Sequence, residues 1–193
     1  MLEMDDAGWG SLVGPTIVGV RRVETNEFVW EELPMAAFQG SACAHKVYLD
    51  EAVEAAQRAL ARLNAQPGAE PIAVCQGYVL SRVRRQLTAT GWDVRAVRIV
   101  GPLQEQVEAA FAVRLEEITG LALEAEVLAA PPRLFYACLK WLKGGDANAC
   151  AAPPERAQWA KTGWRSYHNW VHLPYHEARQ LSHQRRQARG QGR

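Results

Sequence analysis

Leu2-Glu3-Met4-Asp5-Asp6-Ala7-Gly8-Trp9-Gly10-Ser11, followed after four residues by Thr16-Ile17-Val18-Gly19-Val20-Arg21-Arg22-Val23, opens the chain. Leu2 and Met4 alternate with Glu3 and Asp5, the period of two expected of a strand. The glycine-rich run 6–11 must turn, and residues 16–23, rich in β-branched side chains, read as a strong strand. Residues 24–27 form a short turn and 28–33 a second strand, so the pair is a hairpin that Pro34 ends.

Beyond the hairpin, residues 34–46 show no period and read as a loop. From 46 to 64 the apolar residues Leu49, Val53, Ala56, Leu60 and Leu63 recur at helical steps, until Pro67, Gly68 and Pro71 break the pattern. Ile72-Ala73-Val74-Cys75 is a short apolar strand of the buried parallel kind. A helix over 78–89 follows, with Val79, Val83 and Leu87 inward and Gly91 as its stop. Residues 94–100 alternate as another strand. Gly101-Pro102 then opens a helix whose apolar face runs from Leu103 through Val107 and Phe111 to Ile118, and Gly120 closes it. Strand–helix alternation implies parallel pairing through helical crossovers, and the early hairpin makes the sheet mixed. The expected fold is therefore an α/β domain over 1–120, a mixed five-stranded sheet between helices in three layers. Residues 121–193 form a C-terminal extension, with a helix over 127–142 broken at Pro131-Pro132 and another over 154–161.

Hydrophobic residues make up 48% of the 193, enough for a sizeable core and too many for a disordered chain. Cys43, Cys75, Cys138 and Cys150 form no C-x-x-C pair, so free thiols in a reducing compartment are expected. No run of about 18 apolar residues and no basic, apolar leader is present, and a cytoplasmic location away from the membrane is expected. Net charge is +1 but unevenly placed: residues 154–193 hold eight Lys or Arg against two acids. Such asymmetry points to an anionic partner, with the last dozen residues reading as a solvated basic end.

Asp5 and Asp6 stand at the end of the first strand, before the glycine turn. Carboxylates gathered there suit Mg2+ or Mn2+, hard cations that take oxygen ligands and keep water and substrate phosphates in their shell. Such ions activate water and steady the leaving oxygen in phosphodiester hydrolysis. Gly8 and Gly10 would let a nucleic-acid backbone approach. The bland reading of the same residues is a pair of turn-forming acids.

The run from Asp5 to Pro15 resembles the first motif of type 2 ribonucleases H, Asp-Glu-Ala-Gly-Arg-Gly-Pro-Leu-Ala/Val-Gly-Pro, and the element order of 1–120 resembles the wider ribonuclease-H-like superfamily. The resemblance covers about two thirds of the chain. It implies that Asp5 and Asp6 are metal ligands and that another acid lies early in the last helix of the domain. Glu108 is the candidate, with Glu105 facing solvent. Trp9 stands where the family has an Arg that senses ribose; it lacks the guanidinium fork but offers a plane for stacking. The family's acid at the end of the fourth strand is missing, and Cys75 or Gln76 occupies its place. The implied function is binding of nucleic acid and its hydrolysis with Mg2+ or Mn2+. A catalytically inactive nucleic-acid-binding or protein-docking subunit is the alternative.

Basic and aromatic residues interleave in Lys161-Thr162-Gly163-Trp164-Arg165, a pattern suited to phosphates and unpaired bases. Arg82, Arg84 and Arg85 add possible phosphate contacts, and Gln76 a polar one. Trp159, Trp164, Tyr167 and Trp170 are also spaced as a buried helical stripe. The extension is in addition a candidate docking surface for a second copy or a partner protein. His168, His172 and His176 are four apart, as zinc ligands on a helix sometimes are, but Pro174 interrupts them.

Overall fold

The computed structural model describes residues 1–128 and 130–181. Arg185, Arg186, Arg189 and Arg193, half of the basic residues read into the tail, lie outside the described residues, as does His183. Five strands form one mixed sheet: β1 (Leu2–Ala7), β2 (Ile17–Arg22), β3 (Glu27–Glu32), β4 (Ile72–Cys75) and β5 (Val94–Val97), in the order β3-β2-β1-β4-β5. β1 is central, antiparallel to β2 (Asp5 opposite Gly19) and parallel to β4 (Met4 opposite Val74). α2 (Val47–Arg62) and α3 (Ser81–Ala89) cover one face, and α4 (Pro102–Thr119) covers the other. The result is a three-layer α/β fold.

Alternation along β1 sorts its side chains between two cores. Leu2 and Met4 pack with Val18, Val20 and the small residues Ala52 and Ala56 of α2. Ala7 packs with Ile17 and with Val107 and Phe111 of α4. Asp5 and Asp6 are neighbours near the carboxyl end of this strand.

Several boundaries differ from those expected. The strand over 94–100 stops at Val97, because its neighbour among the described strands, β4, ends at Cys75, with Gln76 N–H bonded to the Val97 carbonyl at 2.9 Å. Ile99 then turns inward onto Leu103. The loop 34–46 contains a 3-10 turn (Met35–Phe38) and a short helix, α1 (Gly40–Ala44), too short to show a period. The helix over 78–89 begins with a 3-10 turn (Tyr78–Leu80). Pro131-Pro132 does not kink one helix but starts a new one, at the positions where a missing N–H costs nothing. α5 (Ala125–Leu128) therefore precedes α6 (Pro131–Leu142). α7 (Pro154–Ala157) and α8 (Arg165–Trp170) follow, and residues 175–181 are helical as well.

The boundary at 120 does not separate two cores. Cys138, Leu139, Leu142, Ala160 and Val171 pack into the same cluster as Leu12, Val13, Phe111 and Leu115, with Trp159, Tyr167 and Trp170 around them. Among the described residues, no helix is long and apolar enough to cross a membrane.

Lys143, 2% exposed, ties the extension to itself. Its ammonium donates to the carbonyls of Ala149 (2.6 Å), Val171 (2.7 Å) and Leu173 (2.5 Å). Burial lowers its pKa from the ordinary lysine value. Lys143→Met orphans these acceptors, of which only the bond to Val171 is fully buried. It should cost about 1–3 kcal/mol in chemical denaturation, and limited proteolysis should cut within 144–175 first.

Candidate functional site

The chemistry gathers at the carboxyl ends of β1 and β4. Oxygens of Asp5 and Asp6 and the sulfur of Cys75 all lie within 4.8 Å of one another. The parallel register explains this: one step beyond the pair Met4 and Val74, Cys75 arrives beside Asp5. Gln76 is exposed and donates to the Ala96 carbonyl at 3.3 Å, so of the two it is Cys75 that joins the aspartates. Gly77 backs directly on the cluster, since a Cβ there would stand 3.0 Å from Asp6 Oδ1.

Burial dominates the electrostatics. It pushes the Asp5 carboxyl above the ordinary carboxylate range, opposed by hydrogen bonds from the Cys75 thiol and the Asp6 N–H (2.9 Å). Asp6 is pushed up to about 7, first by burial and then by the Asp5 charge, with Lys161 pulling the other way. Burial, and then the hydrogen bond to Asp5, raises the Cys75 thiol to about 11. At neutral pH Cys75 is therefore a neutral donor to Asp5 rather than a thiolate.

Glu108 lies outside this tight group but on the same site. It borders a cleft of about 260 Å³ together with Asp6, the loop 7–11 and Pro131 and Leu134 of α6, and its charge is felt at Asp5. It is exposed and accepts a hydrogen bond from Gln104 at 2.9 Å. Glu105, as expected, is exposed. A larger groove of about 540 Å³ between β3 and α4 is lined by Phe28, Trp30 and Val113, and its charged groups, Glu32, Arg114 and Glu117, pair with one another. Among the described residues, no reactive cluster converges there.

The glycine loop is built to come close. Gly8 has φ +79, and a Cβ would meet the Phe111 ring at 2.5 Å and the Pro15 carbonyl at 2.6 Å. Gly10 is exposed, with nothing within 4 Å of its Cβ position, so the loop tip is open to a ligand. Trp9 is partly buried in a ring of aromatics: Tyr48 (5.0 Å), Trp164 (5.1 Å), Tyr78 (6.0 Å) and Phe38 (6.2 Å) between centroids.

The expectation that Lys161 contacts nucleic acid is corrected by its position. It is 0% exposed. Its ammonium donates to the Gly8 carbonyl and to Thr16 Oγ1 (3.2 Å), and sits 4.8 Å from the Trp164 ring centroid and 4.9 Å from that of Phe38. It holds the loop from beneath. Its own N–H bonds the Leu12 carbonyl, and the N–H of Gly14 bonds that of Trp159, so residues 159–161 dock along the loop. Burial pushes Lys161 down to about 7. Trp164 is engaged with Trp9 and Lys161, whereas Arg165 is exposed.

The arginines of α3 separate in the same way. Arg82 pairs with Asp50, and Arg84 donates to the carbonyls of Cys75 and Gly77, bracing the end of β4. Arg85 is exposed. α8 ends at Trp170, so His168, His172 and His176 do not share one helix. Tyr78 and Lys46, at the edge of the aromatic ring system, were given no role by the sequence.

Comparison with protein-family models and with curated proteins finds no match to this chain.

Proposed function

We propose that this chain is a ribonuclease-H-like nucleic-acid-binding protein that hydrolyses phosphodiester bonds with Mg2+ or Mn2+. One observation carries the reading: Asp5, Asp6 and Cys75 converge within 4.8 Å where two parallel strands end. The cleft beside them is bounded by Glu108 and an open glycine loop. A hairpin followed by parallel strands with helical crossovers, and the Asp5–Pro15 motif, support the same family.

The donor set fits a hard cation. Asp5 and Asp6, joined by Glu108 from the rim, would supply charged oxygens, while Cys75 stays neutral. Both aspartates are held above their ordinary range, so a cation relieves the repulsion between them. The bound ion would neutralise charge on the reacting phosphate. The rest falls to the chain itself. Lys161 and Thr16 hold the loop in place, Gly8 and Gly10 let a backbone come near Asp6, and Arg84 fixes the strand end that carries Cys75.

The test is calorimetric titration with Mn2+ and Mg2+, alongside cleavage assays on RNA, RNA–DNA hybrid, branched and single-stranded DNA. One cation per chain and metal-dependent cleavage of one of these substrates are expected. A chain that neither takes up metal nor cuts any of them is not a nuclease. Cys75 favours a second reading, a catalytically inactive nucleic-acid-binding or protein-docking subunit, because a neutral thiol holds metal less firmly than a third carboxylate. Nucleic-acid binding unchanged by chelator, without cleavage, selects that reading. Cys75→Asp should then raise Mn2+ affinity on the order of tenfold, since ligand charge sets affinity. It should also lower the melting temperature of the metal-free protein, because a third carboxylate joins two that already repel.

A further inference from the structure

We infer that Tyr78, with Lys46 beside it, is a stacking platform for an unpaired nucleobase next to the carboxylate cluster, so that the preferred ligand is a single strand; this rests on the nucleic-acid reading above.

The position comes from the chain path. β4 ends at Cys75, Gly77 passes against Asp6, and Tyr78 is the next residue. The ring therefore leaves the backbone three residues after Cys75 and next to Gly77, which packs against Asp6. It is 49% exposed, unusual for a large aromatic ring in a chain that buries most of its apolar side chains.

The ring is held rather than loose. The Lys46 ammonium and the Tyr48 hydroxyl near its own hydroxyl lower its pKa from the ordinary tyrosine value. Tyr48 itself is buried and stacked on Phe38 at 5.6 Å with 5° between planes, so the anchor is rigid. Trp9 meets Tyr78 at 6.0 Å and 50°, a tilted contact that supports one side of the ring without stacking over it. The Lys46 ammonium lies over the ring, 5.9 Å from its centroid. At 49% exposure the ring keeps open surface for a stacked base.

A pre-oriented, half-exposed aromatic plane and an exposed ammonium beside it match the two parts of a nucleotide. Every base has a face that stacks on tyrosine, and lysine pairs with the adjoining phosphate. A duplex hides its base faces, so such a platform discriminates in favour of unpaired bases.

The test measures binding of a labelled short single-stranded oligonucleotide, and of the duplex of the same sequence, by fluorescence anisotropy of the full chain in chelator. The wild type should bind the single strand more tightly than the duplex. Tyr78→Ala should weaken single-strand binding roughly 5- to 150-fold, the range for loss of one stacked base, while duplex binding holds. Tyr78→Phe, which keeps the ring, should stay near wild type. Lys46→Met should weaken binding and reduce the salt slope by about one. If the wild type binds the single strand and Tyr78→Ala binds it equally well, the platform is overturned while the nucleic-acid reading stands. If the wild type binds neither form, the wider reading falls and takes the platform with it. A thermal melt of each variant separates loss of stacking from loss of fold.

Discussion

On the proposed function, Asp5→Asn should abolish Mn2+ binding, and with it metal-dependent cleavage, yet leave the metal-free protein at least as stable as the wild type. The first half follows from the donor set: Asp5 is one of two carboxylates in a cluster whose third member is a neutral thiol. Its loss should exceed the roughly 10- to 100-fold cost of losing an outer partner of a metal site. The second half follows from burial. Asp5 is 7% exposed and its charge is disfavoured by desolvation, so a neutral side chain of the same shape is easier to bury. Asparagine still accepts from the Asp6 N–H and the Cys75 thiol. Asp6→Asn should behave likewise and adds a pH signature. The folded carboxyl titrates near 7 against 3.8 unfolded, so the native state binds the proton more tightly. Stability from this group is therefore full below about pH 4 and is lost as pH rises to about 7, by about 2–4 kcal/mol. Differential scanning calorimetry should show a melting temperature that falls over that window in chelator, flattens in Asp6→Asn, and recovers in the wild type when Mn2+ is added at neutral pH. A metal-free wild type whose melting is level across the window, or an Asp5→Asn protein that binds Mn2+ as well as the wild type, contradicts the site.

Much of this arrangement was legible because local pattern and tertiary fold agree. Leu2 and Met4, the hairpin, and the apolar run 72–75 state a mixed sheet through period and punctuation alone, and its strands pair as expected. Glu108 follows Val107, which faces the sheet, so the helix carries it to the rim of the cleft. What stayed hidden depends on chain segments meeting. The choice between Cys75 and Gln76 needs the register Met4–Val74, which no sequence period contains. Tyr78 read as the first turn of a helix, and its exposure appears only once Gly77 turns against Asp6. Lys161 misled most, since a lysine among tryptophans looks like a phosphate contact until residues 159–161 dock along the loop and enclose it.

That enclosure makes Lys161→Met the most damaging single change expected outside the Asp5–Asp6–Cys75 cluster. Methionine is similar in length and sits comfortably between Phe38 and Trp164, so the loss is one of polar groups rather than volume. The Gly8 carbonyl and Thr16 Oγ1 lose a charged donor in the interior, and Asp6 loses the cation that draws its pKa down. Charged hydrogen bonds are worth about 1.5–3 kcal/mol each, offset in part because the Lys161 ammonium is no longer buried. A net loss of roughly 3 kcal/mol is expected. The damage should be local first. Gly14 N–H, bonded to the Trp159 carbonyl, and Ser11 N–H, bonded to that of Gly8, should exchange faster with deuterium, while amides of β1 and β4 keep their protection. Charge also gives this variant a pH signature opposite to that of Asp6. Lys161 titrates near 7 when folded against 10.5 unfolded, so between those values the unfolded chain holds the extra proton and wild-type stability climbs with pH. The two residues together give the metal-free wild type a stability minimum near neutrality; Asp6→Asn should remove the descending limb and Lys161→Met the ascending one. Unchanged exchange at Gly14 and Ser11, with the ascending limb intact, would show that the loop does not depend on the ammonium beneath it.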